Sequence, residues 1–295
     1  MLRRVNFLAG EVERIDLEQK RVIVCHGFDH HPHALEFDFL VLGLGSVTRT
    51  YGLPGVQEHA LTMKSLGDAM RVRNHLIAHL EEADSDCCKK IESLLTFVVA
   101  GGGFAGVETV AGINDFVRRA LHSYPHLSED IVRVVLVHSG PVLLPELDES
   151  LGRYAQKILA GRKVEIRLET KIESFSGGTV RLTDGTVIPA KTLVWTAGIS
   201  PNPLLETIPC AKERGRLLVT PFLELQGWPN IWALGDCSAI PDRLTGKFHP
   251  PTAQHALREG KVAAHNIIAA LHGTKKKRFD FSTIAQLATI GREPV

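Results

Sequence analysis

Apolar and polar positions alternate along residues 5–15 and 20–25, with a turn around Asp16, Leu17 and Glu18. That period predicts half-buried strands. Residues 35–46 form a mostly apolar run that predicts a buried strand, leaving through Gly43-Leu44-Gly45-Ser46, where backbone can approach a ligand closely. Ala69, Val72, Leu76 and Leu80 recur at helical spacing within residues 68–83. Residues 94–100 are apolar almost without a break, as expected of a parallel strand covered on both faces. The stretch after them reads as helix to about residue 121, and residues 131–137 as the next strand. Asp148 is placed to cap a helix reaching about residue 160. Short strands follow at residues 164–168, 172–176, 179–182 and 187–189, around the hairpin signals Gly177-Gly178 and Asp184-Gly185. Residues 192–195 form another buried strand, with Thr196-Ala197-Gly198 as its small-residue exit. Strands at residues 217–220 and 230–234 precede a helix opened by Pro250-Pro251 and running to about residue 271.

The pattern predicts an α/β protein. Residues 93–205 read as a self-contained nucleotide-binding domain. Residues 1–92 and 206–295 read as two parts of one sheet domain that it interrupts, with a polar hinge at residues 82–93. A length of 295 residues accommodates two domains, and 44% hydrophobic with 23% charged residues marks a globular chain. A formal net charge of +1 offers nothing for nucleic acid. Five cysteines in no metal or redox spacing fit a reduced, cytoplasm-facing protein, and Cys87-Cys88 reads as an incidental pair. The start Met1-Leu2-Arg3-Arg4 has no signal-peptide character, and no apolar run is long enough to span a bilayer. His26, His30, His31 and His33 read as a polar hairpin tip, and Lys275-Lys276-Lys277-Arg278 as a solvated loop.

The chemistry concentrates at Gly101-x-Gly103-x-x-Gly106, which follows a strand and opens a helix. In that context Gly101 permits a tight turn, Gly103 lets backbone approach a pyrophosphate, and Gly106 lets helix and strand pack closely. The free N–H groups and positive dipole end of the helix suit phosphates. The following strand ends in His138, where a carboxylate normally meets the adenosine ribose. NADH and NADPH are both open, and the lack of Arg or Lys between His138 and Asp148 favours NADH. Gly235-Asp236, just past a buried strand, is placed either to bind ribityl or ribose hydroxyls or to cap a turn. Gln254 and His255 lie in the first turn of the last helix, where backbone N–H groups could face a flavin.

Taken in order, GGGFAGVE at 101–108, Trp195-Thr196-Ala197-Gly198, Trp232-Ala233-Leu234-Gly235-Asp236 and Pro251-Thr252-Ala253-Gln254 resemble the type II NADH dehydrogenases across nearly the whole chain. These are non-proton-pumping, FAD-dependent NADH:quinone oxidoreductases. The resemblance implies two Rossmann-like dinucleotide-binding domains, the NADH domain inserted in an incomplete FAD domain. It implies noncovalent FAD, NADH as donor, a quinone as acceptor, and a peripheral place on the inner face of the cell membrane, with a homodimer as the family's assembly. By position, Gly101, Gly103 and Gly106, with Phe104 and Ala105 between them, would hold the NADH pyrophosphate. Glu108 would lie near nicotinamide and flavin as a group for charge or proton coupling; its plain alternative is an acid favouring the helix dipole. His138, Ala197 and Gly198 would approach NADH, Gly45, Gly235 and Asp236 the FAD, and Ala253 and Gln254 the flavin and quinone face. The second Gln of the family's AQxAxQ pattern is Arg258 here. The family's opening GxGxxG has no counterpart before Val5, and its C-terminal segment would lie beyond Val295, so the chain is expected to be a piece that holds NADH better than FAD. Two other readings stay open: a sulfide or ferredoxin reductase of the same architecture, and a flavin-free nucleotide-binding module.

Overall fold

The computed structural model describes residues 5–85 and 91–291. The readings at Met1–Arg4 and Cys87-Cys88 lie outside the described residues. The first three strands, β1 (Glu11–Asp16), β2 (Arg21–His26) and β3 (His31–Glu36), form an antiparallel meander. Residues 5–10 are not in a strand. His31 and His33, expected in a loop, lie in β3. The turn after β2, with Gly27 at φ +76°, closes tightly enough for His26 to pair with His31. The apolar run at 35–46 is broken into the end of β3, β4 (Leu40–Leu42) and β5 (Ser46–Thr48). The break follows a change of partner: the Phe37 N–H donates back to Lys20, whereas the Leu40 N–H donates to Asn230.

Next come α1 (Val56–His59), β6 (Leu61–Thr62), α2 (Leu66–Asp84) and α3 (Ile91–Leu94). Ser65 and Asp68 close a reciprocal capping box at the start of α2. Of the residues read as a hinge, 82–84 end α2, 91–93 lie in α3, and 86–90 lie outside the described residues. The nucleotide-binding pattern follows as β7 (Thr96–Ala100), α4 (Phe104–Ala120), β8 (Arg133–Val137), α5 (Glu149–Gly161, capped by Asp148) and β9 (Val164–Arg167). β10 (Ile172–Ser176), β11 (Thr179–Leu182) and β12 (Val187–Pro189) make an antiparallel meander before β13 (Thr192–Trp195). The five parallel strands stand in the order β6-β13-β7-β8-β9. From β9 to β13 this is the 3-2-1-4 order of a mononucleotide-binding half. Alternate residues of β7 face opposite layers. Phe97 and Val99 join Leu76, Val110 and Leu159 of the helices, while Val98 and Ala100 join Phe175, Val180 and Ile188 of the meander. Cover on both faces is why the strand reads as a solid apolar run.

The chain closes with β14 (Ile199–Pro201), β15 (Lys212–Glu213), β16 (Arg216–Leu218), β17 (Ile231–Ala233), β18 (Ser238–Ala239) and α6 (Ala253–His272). Pro250 and Pro251 precede the helix rather than open it, because Thr252 takes the N-cap in an extended conformation. Contacts divide the chain into two compact units, one of residues up to Val47 with Ser200–Ile284, the other of Thr48–Ile199 with the chain from Ala285. Residues 48–85 and 91–92, expected in the outer domain, group with the inserted one. β6 hydrogen-bonds to β13, and Val72, Leu76 and Leu80 of α2 enter the same core as β7. The other unit gathers Leu42, Leu217, Leu225, Trp232 and Val262 around a parallel β4–β17 pair.

Candidate functional site

In the inserted unit the glycine turn sits at the carboxyl end of β7, beside the exit of β13. Gly101 has φ +113°, and a Cβ there would come within 2.8 Å of Thr196 Oγ1 and 3.0 Å of the Ala197 nitrogen. A Cβ on Gly106 would lie 1.7 Å from the Gly101 carbonyl oxygen. Both positions therefore demand glycine. Around them the Gly101 N–H donates to Val137 at 2.8 Å and the Thr196 hydroxyl to Ala100 at 2.7 Å, so three strand ends are tied together. Gly103 is the N-cap of α4 and offers no side chain to the helix start. The first-turn N–H groups, including those of Phe104 and Ala105, have no intrahelical acceptor and favour an anion. Strand order reverses between β7 and β13, the place where open α/β sheets bind ligands.

His138 stands at the end of β8. Its Nδ1 accepts the Gly102 N–H at 3.1 Å, and burial pushes the imidazole down, holding it neutral. Gly198 has φ +102°, and a Cβ there would lie 2.5 Å from the Tyr51 hydroxyl, so the Gly198 backbone passes close to that ring. Trp195 Nε1 donates to the Arg49 carbonyl at 2.9 Å. Glu108 is exposed in the first turns of α4, and its Oε1 accepts the Thr289 N–H at 3.0 Å.

In the other unit the parallel pairing of Leu42 with Ala233 sets two strand exits side by side. One carries Gly45, at φ +62°, and the other Gly235, at φ +72°. The Ser46 hydroxyl donates to Asp236 Oδ2 at 2.6 Å, bridging the exits. The Gly235 N–H donates to Glu259 Oε2 at 2.6 Å. Glu259 is 3% exposed; burial pushes its carboxyl up, and neighbouring Asp236 adds to the shift. Ala253 and Gln254 begin α6, and Gln254 Oε1 accepts the Ile284 N–H at 3.2 Å. Arg258 turns back to donate to the Gln254 carbonyl at 2.8 Å and lies over the Phe281 ring at 4.1 Å. Backbone exits free of Cβ atoms, a bridged Asp and a helix start suit a second nucleotide-like ligand.

The sequence pattern offers the Ser46 backbone but not its bond to Asp236, and it does not single out Glu259. Glu259 carried a signal, since it falls on the buried face of α6 with His255, Val262, Ala263 and Asn266, where a charge is unusual. Among the described residues no helix is long and apolar enough to cross a membrane.

The pyridine nucleotide-disulphide oxidoreductase family matches residues 2–260. A type II NADH:quinone oxidoreductase of Staphylococcus aureus is 30% identical, covering 98% of this chain and 70% of its own length. An external alternative NADH-ubiquinone oxidoreductase of Yarrowia lipolytica mitochondria is 33% identical over 88% of this chain, which spans 47% of that protein's length. The structure of NDH2 from Plasmodium falciparum in complex with NADH aligns with a TM-score of 0.86 at 18% identity, covering 97% of this chain and 74% of that one. On the family match and the Staphylococcus relative, the chain belongs to the pyridine nucleotide-disulphide oxidoreductases and, within them, to the type II NADH:quinone oxidoreductases.

Proposed function

We propose that this chain works in the transfer of electrons from NADH through FAD to a quinone. The observation that supports this most is the Gly101–Gly106 turn, where two glycines are sterically required at the reversal of a 3-2-1-4 parallel sheet. The unit containing that turn is the NADH-binding domain. Gly101, Gly103 and Gly106 let the pyrophosphate reach the start of α4, and Ala197 and Gly198 offer backbone to the nicotinamide end. The other unit is the FAD-binding domain. There Asp236, held by Ser46, accepts flavin-chain hydroxyls, Gly45 and Gly235 admit its backbone-hugging portion, and Ala253 and Gln254 meet the ring. FAD, when bound, supplies the two-electron acceptor for the hydride and the donor to quinone. Glu108 holds or moves charge beside the reacting nucleotide. A quinone acceptor, apolar as it is, places the reaction at a membrane face, with the protein attached peripherally on the cytoplasmic side.

The test is the visible spectrum of the purified protein, first alone, then with FAD, then with NADH under anaerobic conditions. A flavin band that bleaches with NADH and returns with a short-chain quinone supports the proposal. NADH binding without any flavin band overturns it in favour of a nucleotide-binding module. Flavin reduction by sulfide, with none by NADH, overturns it in favour of a sulfide reductase.

A further inference from the structure

A dinucleotide-binding sheet normally meets the adenosine ribose with a carboxylate at the end of its second strand. That group accepts the 2′-hydroxyl of NADH and repels the 2′-phosphate of NADPH. Here the position is His138, whose Nδ1 is taken by backbone and whose Nε2 is buried. Nδ1 accepts the Gly102 N–H at 3.1 Å. Nε2 is buried, and a Cβ on Gly140 would lie 2.9 Å from it. The imidazole is walled between two glycines and presents neither nitrogen to a ribose.

The loop after β8 supplies a carboxylate from another direction. It folds back over the glycine turn: the Leu144 N–H donates to the Gly102 carbonyl at 2.7 Å, and the Leu143 N–H to Gln156 Oε1 at 3.3 Å. Leu143 and Leu144 are fully buried in the core of the unit, and the Leu147 N–H closes a turn onto Leu144 at 2.9 Å. Between these anchors stands Glu146. It is exposed, yet its Oε1 lies 3.6 Å from the point a Cβ would occupy on Gly103, at the start of α4. Its charge is also felt at His138. A carboxylate therefore sits beside the phosphate-binding glycine, eight residues past the usual place, in a stretch without a single Lys or Arg from 138 to 148.

We propose that Glu146 is the group that reads the adenosine ribose, accepting the 2′-hydroxyl of NADH and excluding NADPH in place of the acid that His138 displaces. The inference rests on the proposed binding of NADH at the glycine turn, and it names the residue that sets cofactor choice there. Losing a charged hydrogen bond to the ribose corresponds to about ten- to hundredfold in affinity.

The test is titration of wild type, Glu146→Gln and Glu146→Arg with NADH and NADPH, each followed by calorimetry, which reads binding without flavin turnover. Expected are a wild type that favours NADH, a Glu146→Gln variant whose NADH affinity falls about tenfold or more while NADPH binding holds or improves, and a Glu146→Arg variant that favours NADPH. Melting temperatures are expected to be unchanged, because the side chain is exposed. An unaltered NADH-to-NADPH ratio in Glu146→Gln overturns the inference and leaves nucleotide binding intact. Equal loss for both nucleotides also overturns it, since that marks a general effect on the turn. A wild type that binds neither nucleotide overturns the underlying reading itself.

Discussion

His75 and His79 stand one turn apart on α2, with ring centroids 4.0 Å apart, and share one partner. The Thr192 hydroxyl of β13 lies 3.0 Å from His75 Nε2 and 3.2 Å from His79 Nδ1. A hydroxyl has one hydrogen, so it donates to one ring and accepts from the other. The ring that accepts the hydroxyl hydrogen must be neutral. Burial pushes both rings down, and His79 falls to about 4 with the help of His75. Glu82 and Lys191 also face His79, with opposite effects. The sign follows: the unfolded chain binds protons near the ordinary histidine value and the folded unit does not. Stability is therefore fully present above pH ~6.5 and is lost as pH falls toward ~4. Urea unfolding between these limits should show a steeper decline in wild type than in His79→Gln; identical slopes would remove the pair from the account. Glu108 calls for a kinetic test at this same scale. Glu108→Gln keeps the size and the acceptor for Thr289 while removing the charge. Quinone turnover should slow about a hundredfold or shift its pH profile, with melting unchanged. A variant unchanged in both leaves Glu108 as a helix-dipole residue.

At the scale of elements, α6 shows how one polar residue fastens a helix to the segment beyond it. Asn266 is fully buried. Its Nδ2 donates to the carbonyls of Phe222 at 2.8 Å and Lys277 at 2.9 Å, and its Oδ1 accepts the Lys277 N–H at 2.7 Å. Asn266→Ala would strip partners from three backbone groups and should cost about 3 kcal/mol, read as a lower urea midpoint at constant slope. A loss under about 0.5 kcal/mol would mean that solvent replaces those bonds. The basic run 275–278, read as a solvated loop, is a mostly exposed loop anchored by the same clasp. Lys276 pairs with Glu224 at 2.7 Å, and Arg278 lies over the Phe222 ring. Elements made by local signals were legible in the sequence. β10, β11, β12 and β13 have the limits their patterns suggest, because Gly-Gly and Asp-Gly turns and solid apolar runs punctuate them. β6 was not legible, since two residues carry no pattern and its place depends on distant β13. The glycines of the turn were legible because steric need leaves a spacing. Glu146 was not, because only the fold-back of its loop brings it to Gly103.

The whole molecule is discontinuous in both of its units, and the return of the chain at Ala285 is the least obvious part of that design. Ala288 and Ile290 pack against the core of the nucleotide unit. The Thr289 N–H reaches Glu108, and Arg162 Nη1 donates to the Ile290 carbonyl at 2.8 Å. Arg162 ends α5, and its guanidinium pairs with Asp115 of α4, the two side chains being 9% and 13% exposed. Asn114 Nδ2 donates to the Arg162 backbone carbonyl at 3.1 Å. One arginine thus joins two helices and the last described segment. Its charge is tolerable in this setting because a carboxylate and a carbonyl share it; removing the carboxylate leaves a buried cation. Asp115→Ala should therefore cost about 3–5 kcal/mol. Deleting the chain from Ala285 removes the Thr289–Glu108 and Arg162–Ile290 hydrogen bonds and the apolar contacts of Ala288 and Ile290, opens Arg162 to water, and should cost less, about 1–2 kcal/mol. The two changes touch the same guanidinium, so they should not add: once the tail is gone, water relieves the cation and Asp115→Ala becomes milder. Thermal melting of the two single variants and the double variant in one cycle measures this. Strict additivity would show that Arg162 does not link the tail to the helices.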